Sequence, residues 1–291
     1  MTEDGSPRAT GDRICASYLI KAEVSALRPD KYLDTSVAGS LRASHLKSSL
    51  RGLMSCGMLR RIERLEKEQQ KAYQRSRLPR ASDPRIQQAV CDPYVWVTQY
   101  TKTYNPHWVE EGRPSAYEHF PSAEEYPHLY DLFQILPLER ICFIEKSRDM
   151  MITWACVAYL TNRAMVVPAR EVLFQTQEET KAKGLIKYAR CLYDQQPQWL
   201  KGAFPLGPHQ SDLALRFAHG GGCFAIPSGA DKIRSYHPWG YLNDESSFQP
   251  DAGECYNEAL SVVSGSIIFN SSAGPGWFAD VRHDVVRNVE E

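Results

Sequence analysis

A lysine, an arginine and a threonine fall between two apolar runs in ICFIEKSRDMMITW, residues 141–154. A cation and unpaired backbone N–H groups ahead of a helix N-terminus suit a phosphate. Ile141-Cys142-Phe143-Ile144 predicts a buried strand. Residues 145–149 read as a polar turn, and Thr153 opens the run ITWACVAYLTNR, which predicts an amphipathic helix. The common phosphate loop reads G-x-x-x-x-G-K-[ST]. With Thr153 as the last position, Lys146 takes the first, Met151 the second glycine's place and Ile152 the lysine's. The loop contains no glycine. Alone, the stretch fits either a phosphate-binding loop or an ordinary strand, turn and helix with a solvated Lys-Ser-Arg turn.

Two further strand ends carry chemistry. In WGYLNDE, residues 239–245, an apolar approach ends in Asp244 and Glu245, followed by Ser246-Ser247. Successive side chains on a strand point apart. One carboxylate can then help hold Mg2+, which favours few carboxylates plus phosphate and water. The next can polarise an attacking water. A surface Asp-Glu turn is the alternative. In SIIFNSSAGPG, residues 266–276, a buried strand ends in Ser271, Ser272 and a glycine-rich turn. Ligands of doubly wound sheets bind at the carboxyl ends of strands, which would set these serines beside a γ-phosphate or its attacking water. A serine turn with local backbone bonds is the alternative.

Other elements must position these ends. Glu171-Val172-Leu173-Phe174 predicts a strand, and Thr176-Gln177-Glu178-Glu179 a capping box. The helix it opens places Ala182, Leu185, Ile186, Ala189, Leu192 and Tyr193 on one face, and Pro197 ends it. Residues 201–222 read as irregular; Cys223-Phe224-Ala225-Ile226 reads as another strand. Alternating strands and helices predict an α/β fold, a mostly parallel sheet of the P-loop NTPase (ASCE) type with helices on both faces. Upstream, the aromatics of CDPYVWVTQYTKTY, residues 91–104, suit core packing against that sheet better than base stacking. Residues 128–136 predict a short amphipathic helix, where Gln134 is a candidate reader of an adenine edge. We divide the chain into a poorly ordered tail (1–37), a helical appendage with a proline-marked linker (38–84) and the main domain (85–291). Within the appendage, residues 59–77 read as a solvated helix face, or as a basic helix for DNA phosphates or a partner subunit.

A net charge of −1 gives no global field for nucleic acid, so any such contact must be local. Hydrophobic content of 43% and charged content of 24% fit a soluble globular chain. Eight cysteines without a C-x-x-C pair read as reduced thiols in a cytosolic setting, with no zinc site. The polar N-terminus lacks the apolar core of a signal peptide, and no apolar run approaches a membrane span.

The motifs KSRDMMITW (146–154), ADKIRS (230–235), YLNDESSFQPDAGE (241–254) and IIFNSSAGPGWF (267–278) come in that order, with DPYVWVTQYTKT (92–103) upstream. Together they resemble the ATPase domain of the tailed-phage terminase large subunit, a DNA-packaging motor. The resemblance runs from about residue 92 to the C-terminus. It implies ATP and Mg2+ as ligands, with ATP held by Lys146, Ser147, Arg148, Asp149, Met150, Met151, Ile152 and Thr153. Lys146 matches the variant of the family that carries the loop lysine at the loop's start. Arg148 falls on the arginine that senses or triggers hydrolysis, Thr153 and Asp244 on the Mg2+ ligands, and Glu245 on the catalytic carboxylate. Ser271, Ser272 and Ala273 fall on the coupling motif. The chain departs from the family at Asp149, where most members carry glutamine, and at Met151, where many carry glycine. The implied partners are double-stranded DNA touched through its backbone, a portal protein, a terminase small subunit and further copies in a ring, in the host cytoplasm and away from membrane. Too few residues follow Ala273 for the family's nuclease domain, so a fragment or split product without nuclease activity is expected. A non-catalytic module docking the small subunit or portal, and a helicase-type ATPase, are the competing readings.

Overall fold

The structure, a computed structural model, describes residues 84–105 and 107–281. The expectations for the tail, the appendage and its basic stretch lie outside those residues. Pro84, read as the linker's last residue, instead opens helix α1, Pro84–Cys91. Helix α2, Pro93–Tyr100, has a clear local cause: the Asp92 carboxylate accepts from the N–H groups of Tyr94 (2.9 Å) and Val95 (3.3 Å), and Pro93 fills the first turn. Strands β1 (Lys102–Tyr104) and β2 (Tyr117–His119) pair antiparallel around a short helix α3, His107–Glu110. Helix α4 spans Pro127–Ile135.

The main sheet follows. Its elements are β3 (Ile141–Lys146), α5 (Ile152–Val166), β4 (Glu171–Thr176), α6 (Glu179–Gln195), α7 (Gln198–Ala203), β5 (Ala214–Arg216), β6 (Gly222–Pro227), α8 (Ala230–Ile233), β7 (Gly240–Asp244), a 3-10 turn (Ser246–Phe248), α9 (Ala252–Val262) and β8 (Ile267–Ser272). Strand order is β3-β8-β7-β4-β6-β5, parallel except for the antiparallel edge strand β5. β8 therefore separates the strand of the lysine loop from the strand of the acidic pair. Because these strands are parallel, their carboxyl ends share one rim.

Side chains alternate between the two faces. Cys142, Ile144, Val172, Phe174, Leu242 and Ile268 pack under α5 and α6. Ile141, Phe143, Leu173, Tyr241, Ile267 and Phe269 pack with Cys255 and Ala259 of α9. Gly240 lets α5 lie directly on β7, since a Cβ there would come within 2.6 Å of Leu160 Cδ2.

Several local expectations need correction. Helix α5 is not amphipathic: Ile152 and every residue from Trp154 to Val166 is buried. It lies between the sheet and the layer of α1, α2 and α4, so it has no solvent face. Asn162 Nδ2 donates to the Ala89 carbonyl across that layer (3.1 Å). The aromatic segment accordingly packs on helices rather than the sheet, with Trp96 fully buried and its indole N–H on Gln196 Oε1 (3.1 Å). Thr176 caps nothing, because β4 runs through it and buries it; Glu178 is the N-cap and makes no side-chain cap bond. The stretch read as irregular holds the end of α7 and strand β5. The buried face expected of α6 is the observed one. Among the described residues no helix is long and apolar enough to cross a membrane.

Candidate active site

Strand β3 delivers Lys146 to the rim, and its Nζ lies 2.9 Å from Glu245 Oε1. Thr153, in the first turn of α5, donates its hydroxyl to Asp244 Oδ1 at 2.9 Å. The register puts Lys146 opposite Ser272 and Asp244 opposite Asn270. Lys146, Thr153, Asp244 and Glu245 thus meet at one edge, although the chain separates the first two from the last two by about a third of its length. In an unbroken strand Glu245 would face away from Asp244, on the side of Tyr241 and Asn243. It leaves β7 in a left-handed conformation (φ 60, ψ 45) and reaches Lys146 instead.

The loop between Lys146 and α5 achieves its turn without glycine. Asp149 (φ 61) and Met151 (φ 58) are both left-handed. Aspartate tolerates that region, whereas for methionine it costs roughly 1–2 kcal/mol. His128 of α4 donates from Nε2 to the Met150 carbonyl between them (3.0 Å), which ties the strained turn to the helical layer. Met151→Gly is therefore expected to be more stable than Met151→Ala by about 1 kcal/mol in urea unfolding, the reverse of the usual order in helices. A more stable alanine variant would contradict the strain. Arg148 is exposed and joins none of these contacts; Ser147 and Asp149 are also exposed, Met150 and Met151 half-buried, and Ile152 buried.

No family model matches the chain, and no curated protein matches it in sequence. Among solved structures, the HK97 bacteriophage large terminase aligns with 71% of this chain and 42% of its own at 10% identity, with a TM-score of 0.49. The ATPase domain of the Thermus phage P74-26 large terminase aligns with 48% of this chain and 61% of its own at 13% identity and TM-score 0.36. An arginine-to-alanine mutant of that same domain gives 48%, 62%, 14% and 0.35. The chain spans less than two thirds of each of these proteins. Likeness of this degree leaves the function to the residues themselves.

Burial pushes the Asp244 carboxyl up to about 6, against the pull of Lys146 and Thr153; neighbouring Glu245 adds to the rise and Asn270 opposes it. The folded carboxyl holds its proton more tightly than the unfolded one, so stability falls as pH rises from about 3.8 to about 6 and stays low above that. Asp244→Asn keeps an oxygen for Thr153 and removes the charge. It is expected to raise ligand-free stability at pH 7 by roughly 1–3 kcal/mol, a gain that shrinks toward pH 4. Urea midpoints at the two pH values check this; equal gains at both would contradict it. A buried carboxylate beside a hydroxyl is also a donor pair that Mg2+ accepts, with phosphate and water completing the shell. Thr153 and Asp244 therefore fit that ion.

Ser271 is buried and its Oγ accepts from Ser247 N (3.0 Å), so the end of β8 is bonded to the turn after the acidic pair. Gly274 extends that contact, since a Cβ there would lie 2.9 Å from Ser247 Cβ. Ser272 is half-exposed and Ala273 exposed. Gln134 is buried in α4 with its amide nitrogen unpartnered. Sequence reasoning missed His128, the Lys146–Glu245 pair and two buried amides, Asn243 and Asn270. For the asparagines a signal existed, a polar residue at an apolar position of a strand. The amide of Asn270 makes no full hydrogen bond from either atom, although it lies close enough to Asp244 to offset part of burial's effect.

Proposed function

We propose that this chain hydrolyses ATP with Mg2+ to drive double-stranded DNA through a viral packaging motor, as the ATPase domain of a terminase large subunit. What supports the reading is the meeting of Lys146, Thr153, Asp244 and Glu245 at one rim. Lys146 and the N–H groups of residues 147–153 would bind the phosphates. Thr153 and Asp244 would hold Mg2+, which when bound supplies positive charge against the phosphate oxygens. Glu245 orients and polarises the attacking water, and Arg148 or an arginine of a neighbouring copy balances charge spreading onto the γ-phosphate. Phosphoryl transfer needs little beyond positioning and electrostatics. Ser271, Ser272 and Ala273 couple the cycle to movement, and the Ser271–Ser247 bond is the link through which they would do so. The partners that go with this reading are DNA contacted by its backbone, a portal ring and a terminase small subunit, with several copies assembled in the host cytoplasm and residues 85–291 as the motor domain. Gln134 as the reader of an adenine edge belongs to the same reading.

Calorimetric titration with a non-hydrolysable ATP analogue tests the reading. One saturable site is expected, weakened strongly by chelating Mg2+. No saturable binding would favour a docking module that has lost catalysis.

A further inference from the structure

On the face of the sheet opposite Asp244, Asn243 is fully buried, with both ends of its amide bonded. Its Oδ1 accepts from Gln249 Nε2 (2.9 Å) and lies 2.9 Å from the Ser246 hydroxyl. Its Nδ2 donates to the Tyr241 hydroxyl (2.9 Å), which in turn donates to Gln175 Oε1. Gln175 Nε2 then reaches the carbonyls of Pro227 (3.3 Å) and Gly229 (3.2 Å) at the end of β6. Gln249 Nε2 also binds the Asp244 carbonyl (2.7 Å). One amide on the strand side of Glu245 therefore binds Ser246 and Gln249 beyond it, and anchors that turn to β4 and the end of β6.

This arrangement matters because Glu245 faces Lys146 only by virtue of its left-handed backbone. Nothing in glutamate favours that conformation, so the surroundings must impose it. The Asp244 carbonyl can only accept, so it must meet the nitrogen of Gln249; that nitrogen then meets the oxygen of Asn243, which leaves Asn243's nitrogen for Tyr241. Aspartate could not donate to Tyr241, and leucine would bind neither Ser246 nor Gln249.

Resting on the ATPase reading, we propose that Asn243 is a positioning residue for hydrolysis. It holds the turn at Ser246 and Gln249 so that the Glu245 carboxylate stays at the rim, and it links that turn through Tyr241 and Gln175 to the loop after β6. It touches neither nucleotide nor metal.

Asn243→Leu and the milder Ser246→Ala are to be compared with the unsubstituted chain and with Glu245→Gln. The readouts are steady-state phosphate release, affinity for a non-hydrolysable ATP analogue with Mg2+, and thermal midpoint. Misplacing a reacting group by about an ångström costs on the order of 100-fold. We expect kcat to fall about 10- to 100-fold in Asn243→Leu and less in Ser246→Ala, with analogue affinity unchanged within about twofold in both. Parallel losses of rate and affinity would make Asn243 merely structural and overturn the proposal. So would normal kcat in either variant, alongside an inactive Glu245→Gln. If Asn243→Leu does not fold, the rate and affinity of Ser246→Ala decide on their own. Hydrolysis at the unsubstituted rate by Glu245→Gln would remove Glu245 from the chemistry and overturn the proposal with it, whereas no hydrolysis by the unsubstituted chain would sink the ATPase reading itself.

Discussion

Glu245→Gln is expected to lower ATP hydrolysis by about 10²- to 10⁴-fold, the usual worth of a positioned base. Glutamine keeps the shape and the left-handed backbone but cannot polarise water as a carboxylate does. It also ends the ion pair with Lys146, whose Nζ now lies 2.9 Å from Glu245 Oε1. An incoming phosphate must displace that carboxylate from the lysine, so removing the competition leaves analogue affinity equal or a few-fold tighter. Rate and affinity should therefore move apart, or even in opposite directions. Phosphate release and calorimetry on the same preparation measure both. Retained hydrolysis would remove Glu245 from the chemistry.

Lys146→Ala is expected to act the other way round, on binding first. A hydrogen bond to a charged group contributes about 1.5–3 kcal/mol, which converts to roughly 10- to 150-fold in affinity. The Lys146 side chain is only 10% exposed, at the rim where Thr153 and Asp244 also meet. Its loss also removes the positive charge that holds Asp244 down against burial, so that carboxyl is expected to rise further and bind a cation less well at neutral pH. Affinity for the ATP analogue, measured with and without Mg2+, separates the effects: loss in both conditions reports the phosphate contact, and a larger loss with Mg2+ reports Asp244. Unchanged affinity in both would place the nucleotide elsewhere.

The strands that matter were visible as apolar runs ending in polar residues, and β3, β4, β6, β7 and β8 lie where those runs fall. Their alternation with helices implied parallel pairing. Neighbour order was not legible, because no residue of β8 announces that it will lie between β3 and β7. Helix α5 was misread because its pattern was compared with a half-buried helix, while its Asn162 and Arg163 are polar groups buried in a second helical layer. Thr176 matched a capping pattern that the sheet overrode by extending β4 to include it. The glycine-free loop could not show that Asp149 and Met151 take the backbone region glycine would have taken, since context imposed it. The turn at Glu245 was hidden for the same reason. Its controlling contacts come from Asn243 and Gln249, and only folding puts them around it.

A structure of this chain with ADP, beryllium fluoride and Mg2+ bound is the most direct test that one triphosphate site unites the lysine loop and the acidic strand. Lys146 is expected to leave Glu245 and contact the phosphate mimic, with the cation between it, Thr153 and Asp244, and Glu245 facing the beryllium from the far side of a water. A nucleotide seated away from this rim, or the Lys146–Glu245 pair intact with the phosphates beyond the lysine's reach, would contradict it.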